Sequence, residues 1–200
     1  MNTGDFINML EIFQNNKLVS VFDSLESMYK IYIHSTSKLD INQCKFKGSG
    51  KIVVGPNTFI GSNIFENSYL EIGSNCVIKS DNLFQGYGKI QSHVKIGSRN
   101  HINNNFKIWK YSNIEDFNFF NNNVIIEDHV NINNLISFAR FTVIPAYSNI
   151  KMIDGSYYYY NSFVGRMEGK GSLDDLHKHM KQYKHRRFYG TEKQSRKNFI

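Results

Sequence analysis

Little in this sequence allows cross-linking or membrane insertion. It has two cysteines, Cys44 and Cys76, in 200 residues, too few to read as the disulfide framework that props up small secreted domains. Proline also occurs only twice, and no apolar run is long enough to cross a bilayer. The opening segment MNTGDFINML lacks a basic n-region, so a secretory signal is not expected and a cytoplasmic location is the default. Charge of one sign is scarce outside the C-terminus. Residues 166–200 hold 10 Lys/Arg against 4 Asp/Glu, nearly all of the net charge of +7. What is abundant instead is asparagine, 25 residues, as expected of a chain with many tight polar corners.

Every sixth residue from Val54 to Ile150 falls on one apolar register. Sixteen of these 17 positions are apolar and 12 are isoleucine, with Glu66 the exception. A period of six fits neither an amphipathic helix nor an alternating strand; fixed-period self-similarity marks a repeat architecture. It fits a chain that turns a corner every six residues and sends one side chain inward per side. Three hexads close a triangular turn, giving about 5.7 coils, or roughly 27 Å at the ~4.8 Å strand spacing. One face stacks Val54, Ile72, Ile90, Ile108, Ile126 and Ile144, and a second stacks Ile60, Ile78, Ile96, Ile114, Ile132 and Ile150. The third carries Glu66, Phe84, Ile102, Phe120 and Phe138. The residue after the inward position is often Gly (Gly55, Gly61, Gly73, Gly97) or Asn (Asn67, Asn103, Asn121, Asn133), both tolerant of the positive φ that corners require. The fifth hexad position is compact, as at Thr58, Cys76, Val94, Ser112, Val124 and Val130. There the Cys76 thiol behaves as a small hydrophobe.

The segments VGPNTFIGSN (54–63), IGSNCVI (72–78) and VKIGSRNHI (94–102) resemble the hexapeptide repeats of left-handed β-helix acyltransferases. The resemblance spans about half the chain and implies a left-handed parallel β-helix. It also implies a homotrimer, acetyl-CoA as co-substrate in a groove between neighbouring prisms, and acetylation of a sugar, nucleotide-sugar or surface polysaccharide. The expected organisation is an N-terminal α/β cap at 1–47, the repeat array at 48–153, and a C-terminal loop, basic helix and tail at 154–200. Within the cap, Phe6, Ile7, Leu10 and Phe13 have helical spacing, and Leu18–Phe22 and Tyr29–Ile33 are β-prone. The stretch 154–171 reads as irregular, with the tetratyrosine run Tyr157–Tyr160 covering the last coil. Ser172 then opens a helix in a capping-box arrangement with Asp175, running to about Arg187. The basic tail is open to a solvated role or to peripheral contact with phosphates or an anionic membrane. Nucleic acid is not an expected partner, because no recognised binding module accompanies the charge.

Acyl transfer to a hydroxyl or amine needs a general base. His129 follows Glu127 and Asp128, carboxylates able to fix an imidazole tautomer and raise its basicity. The stretch VIIEDHVNI (124–132) resembles the histidine-bearing coil of sugar N-acetyltransferases. The family histidine stands at the third hexad position, which Asp128 fills here. His101, pointing outward from a flat side, is the second candidate. His93 and His129 lie two coils apart, so they should share one outer corner about 10 Å apart, where the ordinary role is a turn residue. Phe106, Trp109, Tyr111, Phe117 and Phe119 suggest an outward aromatic surface, for trimer packing or for the pantetheine arm. Trp109, Phe117 and Arg140 are the candidate coenzyme contacts.

Two other classes stay open. The missing third-position histidine and the absence of room for an excursion loop suit a non-catalytic β-helix for assembly or carbohydrate binding. The His93–His129 spacing suits a γ-carbonic-anhydrase-like enzyme, but zinc catalysis wants three protein ligands and only two are visible, Asn134 standing at the third. No metal is expected.

Overall fold

The computed structural model describes residues 9–14, 17–22, 27–161 and 166–180. They form a left-handed parallel β-helix of about seven turns, longer than the hexad array alone. The difference lies at the N-terminal end. Strand β3 (Ser27–Ile33) pairs in parallel with Lys45–Val54, and Lys38–Leu39 pairs with Phe59–Ile60, so stacking begins before the first perfect hexad. In front of β3 stand β1 (Met9–Gln14), parallel to it, and β2 (Lys17–Phe22), antiparallel to β1. The helix expected over Leu10 and Phe13 is therefore a strand. Joining an existing sheet edge overrides local periodicity, because the edge offers every backbone group a partner. Phe6 and Ile7 lie outside the described residues.

The first two inner stacks are as the register requires, with Ile33 added above Val54 and Leu39 above Ile60. The third differs. Phe65, not Glu66, points inward: Phe46, Phe65 and Phe84 pair in succession, their rings stacked 5.3 and 5.6 Å apart. Glu66 pairs outward with Gln85. The reason is a longer coil. Asn63 and Asn82 occupy equivalent positions 19 residues apart, whereas later coils repeat every 18. Still earlier, Thr36 meets Asn57 21 residues on.

Corner geometry also corrects the role of the glycines. Of the second-position residues named above only Asn67 has a positive φ, 46°; elsewhere it falls at the fourth position, where Asn57, Asn75, His93, Tyr111, His129 and Tyr147 share one corner at φ 55–63°. Gly73 has an ordinary φ but no room for a side chain, since a Cβ would lie 2.6 Å from the Ser92 backbone nitrogen of the next coil. Close approach of backbones is what requires glycine there. Phe106, expected outside, is buried at a fifth position and its ring fills the space over Gly88. At a second corner the same position holds Asn63, Asn82, Asn100 and Asn118, all buried. Each side-chain carbonyl accepts the backbone N–H one coil on, at 2.8–2.9 Å.

The stretch after 153 is a sheet extension, not irregular. Ser148–Ile153, Ser156–Asn161 and Arg166–Gly171 form an antiparallel meander on the last coil. Asp154 and Gly155, both at positive φ, make its first turn, the Asp-Gly signature of a tight hairpin. The tetratyrosine run is its middle strand, and Tyr159 is buried opposite Ile150. A helix over 173–180 closes the prism with Leu176 and Met180. The Ser172 hydroxyl donates to Asp175 Oδ2 at 2.7 Å and accepts the Asp175 backbone N–H, completing the cap. The helix expected to continue to Arg187 lies beyond residue 180 outside the described residues.

Candidate functional site

Three corners separate three faces, and the candidate residues fall on different ones. Glu127, Asp128 and His129 occupy the first corner, between the Ile108 and Ile114 stacks. Here the exposed His93, Tyr111, His129 and Tyr147 stand one above another, each ring 4.9 Å from the next. The expected sharing of a corner by His93 and His129 is present, but the Tyr111 ring lies between them. Both faces of His129 are occupied by tyrosine. Its positive φ is shared by corner residues along the whole prism, so backbone strain at His129 belongs to the repeat and does not mark an active site.

The carboxylates beside it are turned elsewhere. Glu127 is buried and its Oε2 accepts the Ala146 backbone N–H at 3.1 Å. Asp128 Oδ1 is buried and has no hydrogen-bond partner among the described residues. Among the described residues no group of three or more His, Cys, Asp or Glu is placed to hold a metal ion.

His101 has different surroundings. It lies half-buried on the outside of the third face, edge-on to Phe119 with ring centroids 4.9 Å apart and planes at 83°. His101 Nε2 is 3.1 Å from Gln85 Oε1, and Gln85 Nε2 donates to Glu66 Oε2 at 3.0 Å. The direction of this chain follows from chemistry. An ionised carboxylate only accepts, so the amide must turn its NH2 toward Glu66 and its carbonyl toward His101. A carbonyl also only accepts, so Nε2 carries the proton and Nδ1 holds the lone pair of the neutral ring. Phe119 then limits rotation of the imidazole. Glu66 and Gln85 escaped the sequence reading because Glu66 was placed inward; the apolar Phe65 beside it was the available signal.

The three coenzyme candidates do not converge within one prism. Trp109 sits half-buried at the first corner, its backbone N–H bound to Ile126. Phe117 is exposed at the second corner, with the Arg99 guanidinium 5.2 Å from its ring centroid. Arg140 is exposed at the third, next to Phe141. The aromatic residues between 106 and 119 likewise divide among corners and core and form no single patch.

A groove of about 530 Å³ opens on the prism. It lies where the third corner is flattened into continuous strands and is lined by Lys51, Tyr69, Glu71, Tyr87, Lys89 and Lys107. Lys89 holds Glu71 at 2.7 Å, and this keeps the Glu71 carboxyl below its ordinary range. Burial pushes the Cys44 thiol up to about 11 and the Cys76 thiol upward as well, so neither serves as a nucleophile near neutral pH.

A solved structure of a hexapeptide transferase family protein from Anaplasma phagocytophilum matches 87% of this chain and 93% of its own, at 13% identity and a TM-score of 0.56. The fold is that of the hexapeptide transferases. At that identity the likeness is one of fold alone. A UDP-N-acetylglucosamine acyltransferase matches 76% of this chain and 69% of its own, with 15% identity and a TM-score of 0.43. A second such enzyme, from Bacteroides fragilis, matches 78% and 72%, with 11% identity and a TM-score of 0.32. Both superpose too loosely for coil-by-coil comparison. No family model and no curated protein matches the chain. No helix among the described residues is long and apolar enough to cross a membrane.

Proposed function

We propose that this protein is an acyltransferase that moves an acyl group from acyl-CoA to a hydroxyl or amine of a sugar-bearing acceptor, with His101 as general base. The observation that carries the reading is the Glu66–Gln85–His101 chain, because it leaves Nδ1 as the one basic nitrogen on an oriented ring. In the step proposed, Nδ1 takes the acceptor proton as the acceptor oxygen or nitrogen attacks the thioester carbonyl. The tetrahedral intermediate then collapses with loss of the C–S bond, and the imidazolium returns the proton to the departing thiolate. The ring of His129 is sandwiched between Tyr111 and Tyr147, so His129 is the weaker candidate.

The acceptor is proposed as a sugar, nucleotide-sugar or polysaccharide and the donor as acetyl-CoA, from the hexapeptide resemblance. Trp109, Phe117 and Arg140 fit this scheme only in an assembly. In a homotrimer, different corners of neighbouring prisms share one cleft, so residues that diverge in one protomer meet across an interface. A monomeric mass by light scattering at micromolar concentration excludes that arrangement.

The deciding experiment is thiol release from acetyl-CoA with a panel of sugar acceptors. His101→Ala is expected to lower turnover by about 10²–10⁴-fold with the unfolding curve unchanged, and His129→Ala to leave it within a few-fold. Unchanged turnover in His101→Ala removes it as the base. A second reading, a non-catalytic β-helix, draws on the stacked first corner, whose histidines are occupied by neighbours. Acetyl-CoA at ~100 times its dissociation constant adds about 2.7 kcal/mol to the native state; no thermal shift at millimolar coenzyme favours that reading.

A further inference from the structure

The groove on the flattened third corner is lined by none of Glu66, Gln85 and His101 and has no part in the transfer step above. Two outward columns build it. In one, Lys51, Tyr69 and Tyr87 are successive rungs; in the other, Glu71, Lys89 and Lys107. The columns stand two residues apart along each strand, about 6.6 Å.

The first column is an unfinished stack. Tyr69 and Tyr87 lie 4.9 Å apart with planes within 16°, and the next rung is the exposed, non-aromatic Asn105. Among the described residues no ring lies against the lower face of Tyr87, which is 58% exposed, and a flat ring placed there continues the ladder over the Asn105 amide. The second column is an unbalanced charge array. Lys89 is held by Glu71, and Lys107 has no ion-pair partner among the described residues. Counting Lys51, which lies over the Tyr32 ring, three cations face one carboxylate across the groove. Gly88 and Leu70 form its floor, and any side chain at Gly88 would collide with the Phe106 ring beneath.

This juxtaposition selects a ligand by chemistry. The face of an aromatic ring takes the C–H face of a pyranose, the Asn105 amide suits its hydroxyls, and the lysine pair takes an anion. A neutral sugar leaves Lys107 unpaired, and a bare anion leaves Tyr87 uncovered. We propose that the groove binds a negatively charged sugar residue, its ring stacked on Tyr87 and its carboxylate or phosphate held by Lys89 and Lys107. A glycan acceptor carrying such residues would be gripped here, by residues that take no part in the transfer step.

The test is ligand-observed saturation-transfer NMR on the full chain, with glucuronate, glucose 6-phosphate, glucose and inorganic phosphate as probes. Glucuronate or glucose 6-phosphate is expected to bind at least tenfold more tightly than glucose, with saturation reaching its ring protons; the tighter of the two identifies the anion. Lys107→Gln and Lys107→Glu should weaken it about tenfold and more, and Tyr87→Ala should remove transfer to the ring protons, each with melting checked by a thermal scan. His101→Ala should bind as the parent does, so this result stands whether or not the protein is an acyltransferase. The proposal is overturned if neither anionic sugar binds. It is equally overturned if binding survives Lys107→Glu and Tyr87→Ala together, which places the ligand on the basic tail. Inorganic phosphate matching the sugars in affinity reduces the groove to a bare anion site and also overturns it.

Discussion

The C-terminal coils and the N-terminal coils are built on one repeat and tolerate different things. From about residue 91 to 147 the coils keep an 18-residue spacing, strands are two or three residues long, and every corner turns through a positive-φ residue. From 27 to 90 the spacing reaches 19 and 21 at some positions while the Val54–Ile72–Ile90 stack keeps 18, and Lys45–Val54, Ile64–Ile72 and Leu83–Ile90 run continuously across the third corner. The regular half spends its outward positions on stacking: His93, Tyr111, His129 and Tyr147 serve the corner. The irregular half carries the Glu66–Gln85 partners of His101 and most of the cationic groove. Departures from a repeat are where a fold has room for something besides its own architecture.

That contrast is sharpest in the core. Ile108 lies mid-stack in the regular half, between Ile90 and Ile126, with short strands and tight turns fixing it on both sides. Ile108→Ala is expected to destabilise by about 4 kcal/mol, toward the upper end for such truncations, because the site cannot collapse around the cavity. Leu70→Ala, beside the bulge between Glu66 and Tyr69, should lose about 2–3 kcal/mol, since a bulged strand can relax. Urea unfolding of the two variants measures the gap; equal losses show that the irregular coils are as rigid as the regular ones.

The asparagine ladder joins the two halves. Asn100 Oδ1 accepts the buried Asn118 N–H, and Asn100 itself donates twice to Asn82 Oδ1. Asn100→Ala orphans a buried donor, for an expected loss of about 1–3 kcal/mol. Amide exchange at Asn118 should quicken locally before global stability is affected. Asn118 protection equal to that of the parent means another acceptor has replaced the lost carbonyl.

Which of this was readable in the letters follows from what sets each feature. The inward isoleucines were legible because a single buried slot per side imposes both shape and hydrophobicity. Asn82, Asn100 and Asn118 repeat at the same 18-residue interval, but asparagine also suits corners, and position alone does not separate an inward amide from an outward one. The side before Phe65 is one residue short, and this hid the third stack and with it the Glu66–Gln85 pair, since one residue of slip exchanges inside for outside. Asp154-Gly155 was a hairpin signal in plain view. His101 was a candidate by residue type, and what distinguishes it from His129 is only the partners that three-dimensional stacking supplies.

The smallest expected effect lies at the surface of the irregular half. Glu71 and Lys89 are more than half exposed at their side chains, so their pair contributes at most about 0.5 kcal/mol. Its pH dependence has a definite sign. Lys89 lowers the Glu71 pKa in the folded chain relative to the unfolded one, so the contribution is present above the unfolded carboxyl value of about 4.3 and is lost as pH falls through the lower folded value. Glu71→Gln should therefore melt slightly below the parent at pH 7, and the difference should close near pH 3 or in molar salt. A gap that persists at pH 3 would assign the effect to packing at the groove rim, and the rim would then resemble the regular coils more than the comparison allows.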